Sequence, residues 1–190
     1  MQKTVCVFCS SSSAVEQAYF DAARELGLLL AERGWPLVYG GTDVGLMGTL
    51  ARAVHSGNGK VIGIIPESIY GRGLSYSTAD ETVVTKDLRE RKGLMDLRSD
   101  AFIALPGGFG TLEEVIEVLT LKQLALHTKP VIFLNTNGFY DPLMTLFEHF
   151  YAQKFAKRES AALYYVADTP ADAISYIEHY QPSLAGSKWF

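Results

Sequence analysis

Short, almost unbroken apolar runs recur along this chain, each followed by a longer segment whose apolar residues return at helical spacing, and this alternation leaves few folds open. The runs are Thr4 to Cys9, Pro36 to Tyr39, Val61 to Ile65, Thr82 to Thr85, Ala101 to Leu105 and Val131 to Leu134. Between and after them, helical patterns cover Val15 to Glu32, Val44 to Ser56, Leu88 to Arg98, Leu112 to Ala125, Asp141 to Gln153 and Pro170 to His179. Pro66 to Ala79 reads as a loop and Ala162 to Val166 as a further β-like run. Strands without a polar alternation are buried on both faces, as central parallel strands are. Right-handed crossovers then lay the helices over both faces of the sheet. The expected fold is therefore α/β, a doubly wound, Rossmann-like parallel sheet with helices on both faces. No repeat or linker interrupts it, so residues 1–180 form one domain and 181–190 a tail, poorly ordered unless Trp189 and Phe190 find a surface to cover.

Such sheets bind ligands at the carboxyl ends of their strands. Three turns fall there: Ser10 to Ser13, Gly40 to Gly48 and Gly107 to Thr111. Gly40 to Gly48 matches neither G-x-G-x-x-G nor a Walker A sequence, which removes the main support for dinucleotide or ATP binding. The third turn says more. In Leu105-Pro106-Gly107-Gly108-Phe109-Gly110-Thr111-Leu112-Glu113-Glu114 the glycines sit where a strand gives way to a helix, so backbone N–H groups face outward and an anion can come close. Thr111-x-x-Glu114 also fits a capping box, in which side chains satisfy those N–H groups themselves. Charge favours a site: Glu113, Glu114 and Glu117 are helical neighbours that repel unless water or a cation relieves them. Cations occur just upstream, where Leu88, Arg91, Met95 and Arg98 share one stripe. Arg91 with Lys92 is the stronger candidate, because the following strand carries their helix toward the glycine turn. Arg98 fits a stem over apolar surface with its head in water.

Composition excludes several classes. The 190 residues suffice for a sizeable core, and a formal charge of −4 leaves no broad basic surface for nucleic acid. No signal-peptide pattern or membrane-spanning run occurs, so a cytoplasmic setting is expected. Cys6 and Cys9 form a CxxC inside an apolar strand without a second pair and read as buried thiols. His55, His127, His149 and His179 are scattered, so no metal is expected.

Val38-Tyr39-Gly40-Gly41, Val44-Gly45-Leu46-Met47-Gly48, Arg91-Lys92, Ser99 to Leu105 and the complete Pro-Gly-Gly-x-Gly-Thr-x-x-Glu motif from Pro106 to Glu114 together resemble the Lonely Guy family. Its members are cytokinin riboside 5′-monophosphate phosphoribohydrolases, which separate an adenine-type base from ribose 5-phosphate. The likeness runs from about Val5 to Tyr140. It implies catalytic roles for Glu114 and Arg91, and a 5′-phosphate seated on Gly108, Gly110 and Thr111. Lys92, Glu113 and Thr120 match substrate-contacting positions, and Gly107, Ser11 and Gly41 complete the expected binding set. The resemblance further implies a small-molecule nucleotide substrate, AMP included, no cofactor, and a homodimer with active sites near its interface, to which Tyr19, Phe20, Phe147 and Phe150 either contribute or from which they turn inward. Relatives often carry the label lysine decarboxylase, yet nothing in this chain marks a pyridoxal phosphate lysine. Departures from the pattern, at Ser10, Thr42-Asp43, Gly73, Leu88-Arg89 and Leu121, bear on which base is preferred. Two further readings are a non-catalytic nucleotide or molybdenum-cofactor carrier, and a ribosyl transferase using a glutamate nucleophile.

Overall fold

A computed structural model of the chain describes residues 3–182; the expected tail, with Trp189 and Phe190, lies almost wholly outside the described residues. In chain order the elements are β1 (Val5–Phe8), α1 (Gln17–Glu32), β2 (Leu37–Tyr39), α2 (Gly45–Ser56), β3 (Val61–Pro66), α3 (Glu67–Tyr70), β4 (Glu81–Thr85), α4 (Leu88–Leu97), β5 (Ala101–Ala104), α5 (Phe109–Gln123), β6 (Val131–Leu134), α6 (Asp141–Ala152), β7 (Tyr165–Ala167) and α7 (Pro170–His179). Short 3-10 turns at Thr136–Gly138 and Arg158–Leu163 complete it.

Every strand pair is parallel, in the order β4-β3-β2-β1-β5-β6-β7. All four residues of β1, β5 and β6 are buried, which the unbroken apolar runs required. Side chains of successive strand residues point to opposite faces and divide the core in two. Val5, Val7 and Cys9 pack with Leu26, Leu30, Leu50, Val54, Ile174 and Ile177 beneath α1, α2 and α7. Cys6 and Phe8 pack with Met95, Val115, Val118 and Phe147 beneath α4, α5 and α6. The two cysteines thus face opposite layers, and both are buried and free. Among the described residues no helix is long and apolar enough to cross a membrane.

Besides shifts of one or two residues at other element ends, three segments differ from expectation. The supposed loop from Pro66 hides the one-turn helix α3, whose short pattern carries no buried residue and hence no periodicity to read. The β-like run Ala162 to Val166 divides into the end of a 3-10 turn and β7. Helix α5 starts at Phe109 rather than Leu112, because Gly108, extended at ψ −153°, serves as its N-cap. That last shift moves Gly110 and Thr111 from a turn into the helix's first turn.

Order in the sheet reverses at β1, which pairs with β2 on one side and β5 on the other. The chain leaves toward β4 and later returns on the far side, so the connections after β1 and β5 part and leave a crevice between them.

Candidate active site

A cleft of about 510 Å³ occupies that crevice. Ser10, Ser11 and Ser12 after β1 line it, as do Gly40, Thr42 and Met47 after β2, and Ile69, Arg72 and Leu74 after β3. Gly108, Phe109, Gly110, Thr111 and Glu114 of the β5 turn and α5 form the opposite wall, and Arg91 reaches in from α4.

Two helix N-termini converge on this cleft, and only one is open to a ligand. The first turn of any helix has N–H groups without intrahelical acceptors. In α2 two of these are satisfied from within: Leu46 and Met47 donate to the Ser10 carbonyl at 3.0 and 3.4 Å. Gly45, at φ +57°, lets the helix press against Ser11, where a Cβ would collide with the backbone. In α5 no side chain caps the start. The capping-box reading of Thr111 and Glu114 therefore does not hold: Thr111 is buried in the first turn, and Glu114 turns toward Arg91. A Cβ on Gly108 or Gly110 would meet nothing within 4 Å, whereas one on Gly107 would lie 2.6 Å from the Thr111 Cβ. The first two glycines leave room for a ligand and the third makes room for Thr111. From behind, the Tyr140 hydroxyl donates to the Leu105 carbonyl at 2.8 Å and steadies the turn.

Helix α4 is started by Asp87, whose carboxylate accepts from the Arg89 and Glu90 N–H groups at 2.9 Å. Its inner face carries Arg91 and Met95. The Arg91 guanidinium, beside Gly40 and Met47, donates to the Glu114 carboxylate, and its Nε points at the Met95 sulfur, 3.5 Å away. Only 6% of Arg91 and 7% of Glu114 is exposed. Burial raises the Glu114 pKa; Arg91 opposes the shift, Glu113 adds to it, and the net position is above the usual glutamate value. Outside this pair, Lys92 donates to both Glu113 and Glu117, relieving the repulsion expected from sequence. Burial alone would lower Lys92, but these two carboxylates together hold it above the ordinary lysine value. Burial also pushes the Cys9 thiol up, with the Glu114 charge adding to it, so the one cysteine lining the cleft is a neutral thiol rather than a nucleophile.

Of the residues singled out by sequence, Arg91, Glu114, Ser11, Gly108, Gly110 and Thr111 meet in the cleft, with Gly107 directly behind. Lys92 and Glu113 pair one layer out. Gly41 does not line the cleft: at φ +80° it packs against β3, where a Cβ would lie 3.0 Å from that of Ile65. Thr120 is two turns farther along α5, exposed, its hydroxyl donating to the Ile116 carbonyl at 2.8 Å. Arg98 binds Glu81 through both terminal nitrogens, at 2.7 and 2.9 Å, away from the cleft. Arg72, Ile69 and Leu74 were missed because their segment read as a loop; its position directly after a strand was the available signal. Phe147 belongs to the core, and Tyr19, Phe20 and Phe150 pack against it, whereas Phe109 stands 94% exposed at the cleft mouth.

The arrangement offers an anion seat at one end and a buried carboxylate beside it. Among the described residues no lysine lines the cleft, so these offer no amine for a Schiff base. A family model described as "Possible lysine decarboxylase" matches residues 47–177. The chain is 42% identical over 180 residues to the cytokinin riboside 5′-monophosphate phosphoribohydrolase LOG2 of Arabidopsis thaliana, covering 95% of this chain and 84% of the relative. It is 42% identical over 188 residues to the enzyme LOG of Oryza sativa subsp. japonica, whose name states the same reaction, covering 98% and 78%. Among solved structures, the molybdenum cofactor binding protein of Rippkaea orientalis aligns at TM-score 0.71 with 27% identity, over 94% of this chain and 97% of that one. The molybdenum cofactor carrier protein of Chlamydomonas reinhardtii aligns at 0.71 with 26% identity, over 94% and 97%.

Proposed function

The chain belongs to the Lonely Guy family of cytokinin riboside 5′-monophosphate phosphoribohydrolases, and we propose on that basis that it hydrolyses the N-glycosidic bond of adenine-type nucleoside 5′-monophosphates, AMP among them, releasing base and ribose 5-phosphate. The buried Arg91–Glu114 pair, one turn from an uncapped helix N-terminus, is the observation that carries this reading.

The 5′-phosphate binds the first-turn N–H groups of α5, where the helix dipole contributes up to ~2 kcal/mol in a partly buried site. Ribose then lies over Glu114. Positive charge develops at C1′ as the base leaves, and the ionised carboxylate stabilises it and orients the attacking water. Arg91 keeps Glu114 ionised against the cost of its burial and fixes its direction. Lys92, by joining Glu113 and Glu117, ties α4 to α5 and so sets the distance between the catalytic pair.

Purified protein given AMP, and separately isopentenyladenosine 5′-monophosphate, releases base and ribose 5-phosphate in equal amounts, while Glu114→Gln loses about 10²- to 10³-fold in rate. The ratio of the two wild-type rates identifies the preferred base. A molybdenum-cofactor carrier is the second reading, favoured by the two structural likenesses above; tight binding of nucleotide with no release of base supports it instead. A second copy of the chain is proposed to cover the apolar surface beside the cleft mouth, formed by Phe109, Leu112 and Ile116 of α5 with Phe139, Pro142 and Leu143. Sedimentation velocity then gives a dimer that Leu112→Arg disrupts.

A further inference from the structure

The proposed reaction needs something at the departing base as well as at the ribose, and the cleft holds one group suited to it. We propose that Arg72 contacts the leaving base and stabilises the negative charge it acquires; this rests on the hydrolase reading above. Sheet order supplies the geometry. The phosphate seat follows β5, whereas Ile69, Arg72 and Leu74 follow β3, three strand spacings away, or roughly 14 Å at the sheet's edge. Arg91 and Glu114 meet between these walls. A nucleotide anchored by its phosphate at α5 and reacting over Glu114 therefore extends its base toward β3, where Ile69, Leu74 and Met47 offer apolar contact and Arg72 a cation.

Charge accounting points the same way. Arg91 and Glu114 neutralise each other, and no carboxylate among the described residues pairs with Arg72. The remaining side chains lining the cleft include no acid: Cys9 holds its proton too tightly, and the others are hydroxyl or apolar groups. When the C1′–N bond breaks, its electron pair goes to the base. The water oxygen bonds to C1′, one water proton passes to Glu114, and the base takes a proton from solvent. Until that last step the base is an anion, and the Arg72 guanidinium, always charged, donates hydrogen bonds to it.

Its position is set by the segment that follows it. Leu74 accepts from the Asp43 N–H at 2.8 Å, Tyr76 donates its N–H to Gly41 at 3.0 Å, and Ser75 bridges to Thr42. Asp80 holds the far end, accepting from the Val61 N–H at 2.7 Å and lying 2.9 Å from His55, whose other ring nitrogen is 2.8 Å from the Tyr76 hydroxyl. Apart from the half-buried Ile69, Glu67 to Gly73 are exposed, so a bound base can reach them.

The test compares wild type, Arg72→Gln and Arg72→Lys on AMP and on 4-nitrophenyl ribofuranoside 5-phosphate, whose leaving group needs little help, with inhibition by ribose 5-phosphate measured in parallel. Arg72→Gln should lower kcat on AMP about 10²-fold, lose much less on the nitrophenyl substrate and keep the inhibition constant for ribose 5-phosphate; Arg72→Lys should recover part of the loss. Equal losses on both substrates, or ribose 5-phosphate inhibition weakened as much as turnover, overturn the assignment. Wild-type hydrolysis of AMP with Arg72→Gln unchanged removes the role of Arg72 alone, whereas a folded wild type inert toward both substrates removes the hydrolase reading and this proposal together.

Discussion

Replacing Glu114 by glutamine should damage stability as well as turnover, and the two losses should separate in a second variant. The substitution keeps the side chain's shape but strands the Arg91 guanidinium, which stays charged at a site only 6% exposed. Removing one partner of a buried pair costs about 3–5 kcal/mol. Two features hold this case to the low end: the glutamine oxygen still accepts a hydrogen bond, and the burial penalty that raises the Glu114 pKa disappears with the charge. A loss of about 3 kcal/mol corresponds to about 6–12 °C in Tm for a domain of this size. Adding Arg91→Met removes the stranded cation and supplies apolar volume beside Met47 and Met95, so the double variant should regain most of the stability while remaining as inactive as either single change. Urea melts followed by tryptophan fluorescence and circular dichroism, read as shifts in midpoint at constant slope, measure this. Glu114→Gln within 0.5 kcal/mol of wild type, or a double variant no more stable than the single, would refute the claim that the pair is electrostatically coupled in a dry site.

The acid limb of the pH–rate profile should lie above the ordinary glutamate value, because burial raises the Glu114 pKa and activity is lost as pH falls through it; Glu113→Gln removes a neighbouring like charge and should move that limb to lower pH. Gly110→Ala should keep or slightly raise thermal stability, since its Cβ meets nothing and alanine favours a helix, yet it should raise KM by intruding on the phosphate seat; Gly107→Ala should cost both, by displacing Thr111. Lys122, on the buried side of α5, has no hydrogen-bond partner for its ammonium among the described residues; 5.0 Å from the Tyr180 ring, it is lowered by burial to about 8. The unfolded chain therefore holds this proton longer, so stability should rise with pH between about 8 and about 10.4, and Lys122→Met should be the more stable form at pH 7 and should flatten that rise in pH-dependent denaturation.

The sheet and its layers were legible because unbroken apolar strands admit few other arrangements. The site was partly legible. Arg91 was traceable because the strand after its helix leads to the glycine turn, and the helical spacing of Glu113, Glu114 and Glu117 called for a cation, which Lys92 supplies. The start of α5 was misplaced because glycine carries little helix propensity, so the pattern could not show that Phe109 and Gly110 had already entered the helix. Gly41 looked like a ligand contact since its sequence neighbours are, but a positive φ turns it onto β3. Lys122 gave no signal: a lysine among apolar helix residues reads as solvated, and its burial is a tertiary fact. Arg72 was invisible for the opposite reason, an exposed arginine in irregular chain whose meaning comes only from the strand order.

The Ser10 carbonyl that stoppers α2 makes the cleft a socket with a single live terminal. Of the two helix starts, only that of α5 is left to draw a phosphate, because the Ser10 carbonyl already occupies the Leu46 and Met47 N–H groups of α2. A dinucleotide or nucleoside diphosphate gains no second helix start for its additional phosphate. One carbonyl oxygen thereby makes two similar helix starts unequal and gives the empty cleft a polarity along its length.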